Sequence, residues 1–185
     1  RQMCIRDRFI PFNDANDVYF IQFASSWGQA WTSEQWQDFE RWYSENEANI
    51  DDFLPIFIQK WGKHSWKKCF IAYLIATDKY FVFPKKSLTT NMGDDGQNFT
   101  NKHRHTFQVP LLQTPKRFQF VDINESLARY DVYFEWLPSC INQLKPSMAI
   151  YDYAVDLYAC KDAQQLPNTY LLTTQKVVDF EKSYG

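Results

Sequence analysis

The sequence predicts an α/β domain with a small β-rich C-terminal extension, and three observations lead there. Two stretches, Thr32–Tyr43 and Ser65–Leu74, repeat their apolar residues at close to a helical period. Short β-rich runs flank them, at Val18–Phe23 and Tyr80–Phe83. Later in the chain, Tyr151–Ala159 and Thr169–Thr174 read as two more strands that pair. With 185 residues, 45% of them apolar, the chain has material for one core of ordinary size.

The elements follow in order. Arg1–Arg8 does not read like the rest; it resembles translated sequencing-adapter read-through, as found at the ends of assembled environmental contigs, and is set aside. The expectation is that native sequence begins near Phe9 and that a natural N-terminal part precedes it; the alternative is an ordinary basic tail. Phe9–Asn16 is a loop with Pro11 and Asn/Asp turn residues. Val18–Phe23 is a buried strand, and Ala24–Ala30 a small-residue loop around Trp27 and Gly28. Thr32 and Gln35 have the spacing of a capping box, and Trp36, Phe39, Trp42 and Tyr43 share one helical face directed at the core. Glu45–Asp52 is a solvated connection, Phe53–Trp61 a short helix, and Gly62 its terminator.

Ser65 caps the next helix with its hydroxyl. Tyr80–Phe83 is a buried strand stopped by Pro84, and Asn91–Gly96 a polar, glycine-punctuated loop. Thr106–Leu111 and Arg117–Val121 are short strands, the second with Phe118 and Phe120 on one face. Tyr130–Leu144 has helical character interrupted by Pro138.

Composition narrows the function classes. The net charge of −2, without a block of basic residues, argues against nucleic acid as the main partner, which demands clustered Lys and Arg. No run approaches the roughly 18 apolar residues of a membrane helix. Cys4, Cys69, Cys140 and Cys160 show no C-x-x-C spacing, and Cys69 reads as a buried free thiol. A reducing cytoplasm, or its membrane periphery, is the expected location. Aromatics make up 18% of the chain, with seven Trp and eleven Tyr; they serve either as core filling or as flat faces for sugar or base rings.

Three blocks in order carry a resemblance. They are Ser26-Trp27-Gly28-Gln29-Ala30-Trp31, then Ser65-Trp66 opening a helix, then Tyr80-Phe81-Val82-Phe83-Pro84 leading into Ser87-Leu88-Thr89-Thr90-Asn91-Met92-Gly93-Asp94-Asp95-Gly96. Together they resemble the C-terminal half of the catalytic domain in bacterial family-two-type glycosyltransferases of the GT-A fold. Tyr151-Asp152-Tyr153-Ala154-Val155-Asp156-Leu157-Tyr158-Ala159-Cys160-Lys161 resembles an extension block of the same subfamily, with Ala159 where relatives carry Gly. If a turn there needs positive φ, Ala159 is strained.

The resemblance implies a partial GT-A-like mixed sheet flanked by helices over residues 9–115, with the β-rich extension over 116–185. It implies transfer of a sugar from a nucleotide-sugar donor to a glycan acceptor in surface polysaccharide synthesis, by an inverting reaction. Relatives place a carboxylate base two residues before the helix-opening Trp; this chain has His64 there. Imidazole can take the acceptor proton near neutral pH. The alternatives for His64 are capping, acceptor contact or a lost function. Trp27, Gly28, Ser65, Trp66, Asn91 and Gly93 fall at acceptor- or substrate-binding positions. For Trp27 and Trp31 the other reading is wedge packing between strand and helix.

Gln97 and Asn98 stand where relatives carry Thr-His, whose His assists metal or diphosphate binding; Asp94 and Asp95 could touch a metal, and a polar Gly-rich turn explains them equally well. His103 and His105 could compensate if that loop folds back. Mg²⁺ or Mn²⁺ is expected in the intact enzyme, with its main ligands in the preceding half, since no Asp-x-Asp-type motif stands ahead of Trp27. Without that half the chain is expected to be inactive alone. A non-catalytic carbohydrate-binding or scaffolding module is the competing reading.

Overall fold

Val18–Ile21 (β1) forms the centre of a three-stranded sheet in the computed structural model, which describes residues 9–25, 28–90, 109–163 and 166–175. The chain is a mixed α/β structure with two small sheets. In the first, β1 pairs antiparallel with Phe81–Pro84 (β2), from Val18 opposite Pro84 to Ile21 opposite Phe81. It pairs parallel with Arg129–Tyr130 (β3), with Phe20 opposite Arg129. The sheet therefore draws on both sides of the 115/116 boundary.

Between β1 and β2 run the helices. Ser33–Asn46 (α1) opens on the expected capping box: the Gln35 amide donates to Thr32 Oγ1 (3.2 Å), and the Thr32 amide donates to Gln35 Oε1 (3.0 Å). Phe39 is buried, and Trp42 and Tyr43 pack against the same core. Trp36, 43% exposed, is a rim residue instead, braced edge-on against Trp31.

Glu47–Phe53 is a 3-10 segment with a non-helical residue at Asn49; its charged residues are exposed, as expected of a solvated connection, and Ile50 alone is buried. The short helix contracts to Ile56–Gln59 (α2), and Lys60, in the right-handed helical region, ends it. Gly62 has neither positive φ nor a crowded Cβ position, so no glycine-specific stop operates there.

Trp66–Ala76 (α3) is buried without interruption from Lys68 to Leu74, because α1, the 3-10 segment and the sheet surround it. Lys68 tolerates this burial because its ammonium donates to the Gln59 carbonyl (2.8 Å) and pairs with Asp51 Oδ1 (2.6 Å). Ser65 occupies the N-cap position, yet its hydroxyl makes no cap bond. Cys69 is a buried free thiol, and burial raises its pKa.

Three further expectations are corrected. β2 starts at Phe81 rather than Tyr80 and includes Pro84; as an edge strand it is only half buried, with Val82 50% exposed. An edge accommodates Pro84 because its missing donor faces no partner strand. Arg117–Val121 forms no strand: the Gln119 amide is taken by Asp17 Oδ2 (2.9 Å), and Phe118 and Phe120 stack at 6.1 Å. Tyr130–Leu144 is strand, turn, then helix. Asp131 Oδ1 captures the amides of Tyr133 (2.8 Å) and Glu135 (3.0 Å), which locks a turn in place of a helix. The helix Pro138–Leu144 (α4) begins only afterwards, with Pro138 at its first turn, where no amide is needed. Of Thr106–Leu111, residues 106–108 lie outside the described residues, and Leu111 makes an isolated bridge to Ser87.

The second sheet pairs Tyr153–Asp156 (β4), buried throughout, with Tyr170–Thr173 (β5) in parallel. Two aspartates hold its ends. Asp152 accepts from the Thr169 amide (3.0 Å) and Asn168 Nδ2 (2.7 Å), and Asp156 Oδ1 accepts from the amides of Cys160 (2.7 Å) and Lys161 (2.9 Å). Ala159 lies in that turn at φ 54°, the left-handed region in which a glycine would be less strained. Among the described residues no helix is long and apolar enough to cross a membrane.

Candidate functional site

An open groove of about 1780 Å³ runs over the sheet face that carries Tyr19, Ile21, Phe81 and Phe83, and along β2. β-Strand alternation puts these side chains on one face. Tyr19 and Phe83 stack at 5.5 Å, and Phe9 closes edge-on against Tyr130 at 4.7 Å. Burial raises the phenol pKa of Tyr19, keeping it protonated.

Two loops form the rim. Gly28 has φ 61°, and a Cβ there would stand 3.1 Å from Thr89 Cγ2. The left-handed backbone favours glycine at this point, and a Cβ would press against Thr89. The Gly28–Trp31 and Ser87–Thr89 blocks, far apart in sequence, thus meet across one groove. The second loop is braced by the Ser87–Leu111 bridge and by the Val109 amide, which donates to Thr90 Oγ1 (2.9 Å). Trp31 packs edge-on against Phe70, ring centroids 4.1 Å apart, which is the wedge-packing role.

The helix-start block lies differently. His64 is exposed in the turn before α3 and is not among the residues lining the groove. Ser65 is half-buried and Trp66 39% exposed. Lys67 is the residue of this block that lines the groove, with Nζ 5.0 Å from the ring centroids of both Phe23 and Trp61. Trp27, Asn91, Gly93, Asp94, Asp95 and Asn98 lie outside the described residues, as do His103 and His105.

Sequence reasoning missed the groove's charged residues. Lys67, Lys79, Lys85 and Lys86 line it, with Asp78 the one acidic lining residue among the described residues. Lys79 Nζ donates to Tyr73 Oη (2.5 Å) and approaches Asp38 (3.4 Å). Lys85 pairs with Asp14 at 2.5 Å. Burial would raise the Asp14 pKa, but hydrogen bonds from Lys85 and Ser126 outweigh it and hold the carboxyl at about 2.

Asp78 Oδ1 accepts from the Tyr80 hydroxyl (2.8 Å) and from Nε2 of the buried Gln22 (3.3 Å). Burial, and then the bond to Asp78, keep the Tyr80 phenol protonated. No local signal marked these charged residues: Thr77-Asp78 is a helix-to-strand junction, whereas ligands in α/β folds gather at the carboxyl ends of strands.

The described residues do not supply a site for the divalent cation: no group of three or more His, Cys, Asp or Glu converges among them. No protein-family model matches the chain, and no curated protein or solved structure is significantly similar to it.

Proposed function

We propose that this chain forms the acceptor side of a GT-A-type glycosyltransferase domain, which moves a sugar from a nucleotide-sugar donor to a glycan acceptor in surface polysaccharide synthesis. One observation carries the reading. The Gly28–Trp31 and Ser87–Thr89 blocks, two of the three that bear the resemblance, come together on a groove floored by aromatic side chains. Aromatic faces pair with the C–H faces of sugar rings, and the lysines and Asp78 provide polar contacts for hydroxyls. The donor and its divalent cation belong in this reading to other parts of the domain. His64 stays the candidate base in the residue pattern; to act, it needs an acceptor that reaches beyond the groove lining to the start of α3.

The second reading is a carbohydrate-binding module without transfer activity. The exposed position of His64, outside the groove lining, favours it. Both are tested on the protein in its full gene context, by following transfer and donor hydrolysis with UDP-, GDP- and dTDP-sugars and Mn²⁺. Turnover that collapses in His64→Ala while donor binding persists supports the transferase with His64 as base. Glycan binding with no turnover from any donor selects the module. Neither binding nor turnover overturns both.

A further inference from the structure

We propose that Asp78 is the hydroxyl-binding anchor of the groove, taking a hydroxyl of a neutral sugar ring through its Oδ2; the inference rests on the reading of the groove as a glycan site. Asp78 stands where the helix dipole disfavours a carboxylate. It follows Thr77, the C-cap of α3, at φ 50°. Its amide donates to the Ile75 carbonyl (3.4 Å) and that of Lys79 to the Leu74 carbonyl (2.9 Å), the paired bonds of a Schellman ending. That position favours glycine or asparagine. A carboxylate there also sits at the negative end of the helix dipole. A carboxylate held against the helix dipole in a groove is accounted for when it serves a ligand.

The surroundings define what it binds. Tyr80 and Gln22 both donate to Oδ1, which fixes the carboxylate; among the described residues Oδ2 receives no hydrogen bond. Gln22 is buried at the end of β1 and reaches Asp78 across 56 positions of sequence, so the orientation is built by the tertiary fold. The other charged residues of the lining are lysines, which disfavour a metal ion or an amine at Oδ2. A neutral hydroxyl donor remains, and the aromatic sheet face next to it suits the apolar face of a sugar ring.

The test measures binding of the methyl glycosides of glucose, galactose, mannose and N-acetylglucosamine to the full chain, by saturation-transfer NMR and calorimetry. The wild type is expected to bind at least one. Asp78→Asn should weaken that affinity about tenfold, the scale of one hydrogen bond to a charged group. Its melting temperature should hold or rise by about 1–3 °C, because the helix end loses an unfavourable charge. Tyr80→Phe, which removes one of the two orienting bonds, should weaken binding by a smaller factor.

Equal binding by wild type and Asp78→Asn overturns the assignment while leaving the groove as a glycan site. Lost binding accompanied by a clear fall in melting temperature also overturns it, making Asp78 a structural cap. If the wild type binds none of the four glycosides, the glycan reading of the groove fails and the assignment goes with it.

Discussion

The groove and the junction that ties the second sheet to the first use similar residues to opposite ends. At the junction, Asp131, Glu135, Asp156 and Lys161 are drawn inside and mutually satisfied. Lys161 Nζ meets Asp131 Oδ2 at 2.5 Å, the Tyr158 amide donates to Glu135 Oε1 (2.6 Å), and Gln175 Nε2 donates to Asp156 Oδ2 (2.9 Å). Burial raises the pKa of both Asp131 and Glu135, and Lys161 works against that rise. In the groove, by contrast, Asp78 keeps one oxygen uncommitted among the described residues, and the aromatic floor is left open. The motif Asp152-x-x-x-Asp156-x-x-x-x-Lys161 works as a fastening for the second sheet, whereas the groove keeps polar atoms available.

The sharpest way to break this comparison is to remove one member of the buried pair. Lys161→Met leaves Asp131 without its partner and should cost about 3–5 kcal/mol, whereas Lys86→Met on the groove should stay within about 0.5 kcal/mol. Urea denaturation of both variants checks it; similar losses would erase the distinction.

Asp14 comes next, since it links the groove residue Lys85 to Ser126 and Leu127. Its folded pKa lies below the unfolded one, so its contribution is complete above the ordinary carboxylate range and is lost as pH falls through about 2. Asp14→Asn should cost about 2 kcal/mol at neutral pH, and the gap to wild type should narrow as pH drops from 5 towards 2. Glu135 has the opposite sign. Its raised folded pKa means that stability declines as pH climbs from the ordinary carboxylate value through the raised one, and Glu135→Gln should flatten that decline in pH-resolved denaturation.

Gly28→Ala probes the rim. The left-handed backbone and the 3.1 Å approach to Thr89 should cost about 1–3 kcal/mol and push the two rim loops apart. Glycoside affinity should fall with it; a stable variant with intact affinity would detach the rim from the site. The smallest effect is expected at Thr32→Ala, about 1 kcal/mol from the lost cap, with groove binding unchanged, read by thermal melting and calorimetry.

Several features were legible in the residues because their causes are local. The capping box at Thr32, the helix after Ser65, the strand at Val18 and the strands at Tyr153–Asp156 and Tyr170–Thr173 all rest on short-range pattern or propensity. So does the strain at Ala159. Where the residues misled, a long-range or competing bond decided. Asp131 diverted a helical pattern into a turn, and Asp17 took the Gln119 amide from a would-be strand.

The sequence by itself determined which segments favour helix or strand and that an apolar core must form, because these follow from backbone sterics and hydrophobic period. The tertiary structure alone decided that β1 lies between an antiparallel and a parallel partner, that Gly28 meets Thr89, and that Gln22 orients Asp78. Those facts join residues distant in the chain. Their energies come from packing and hydrogen bonds that exist only once the sheet has assembled, so no local pattern could encode them.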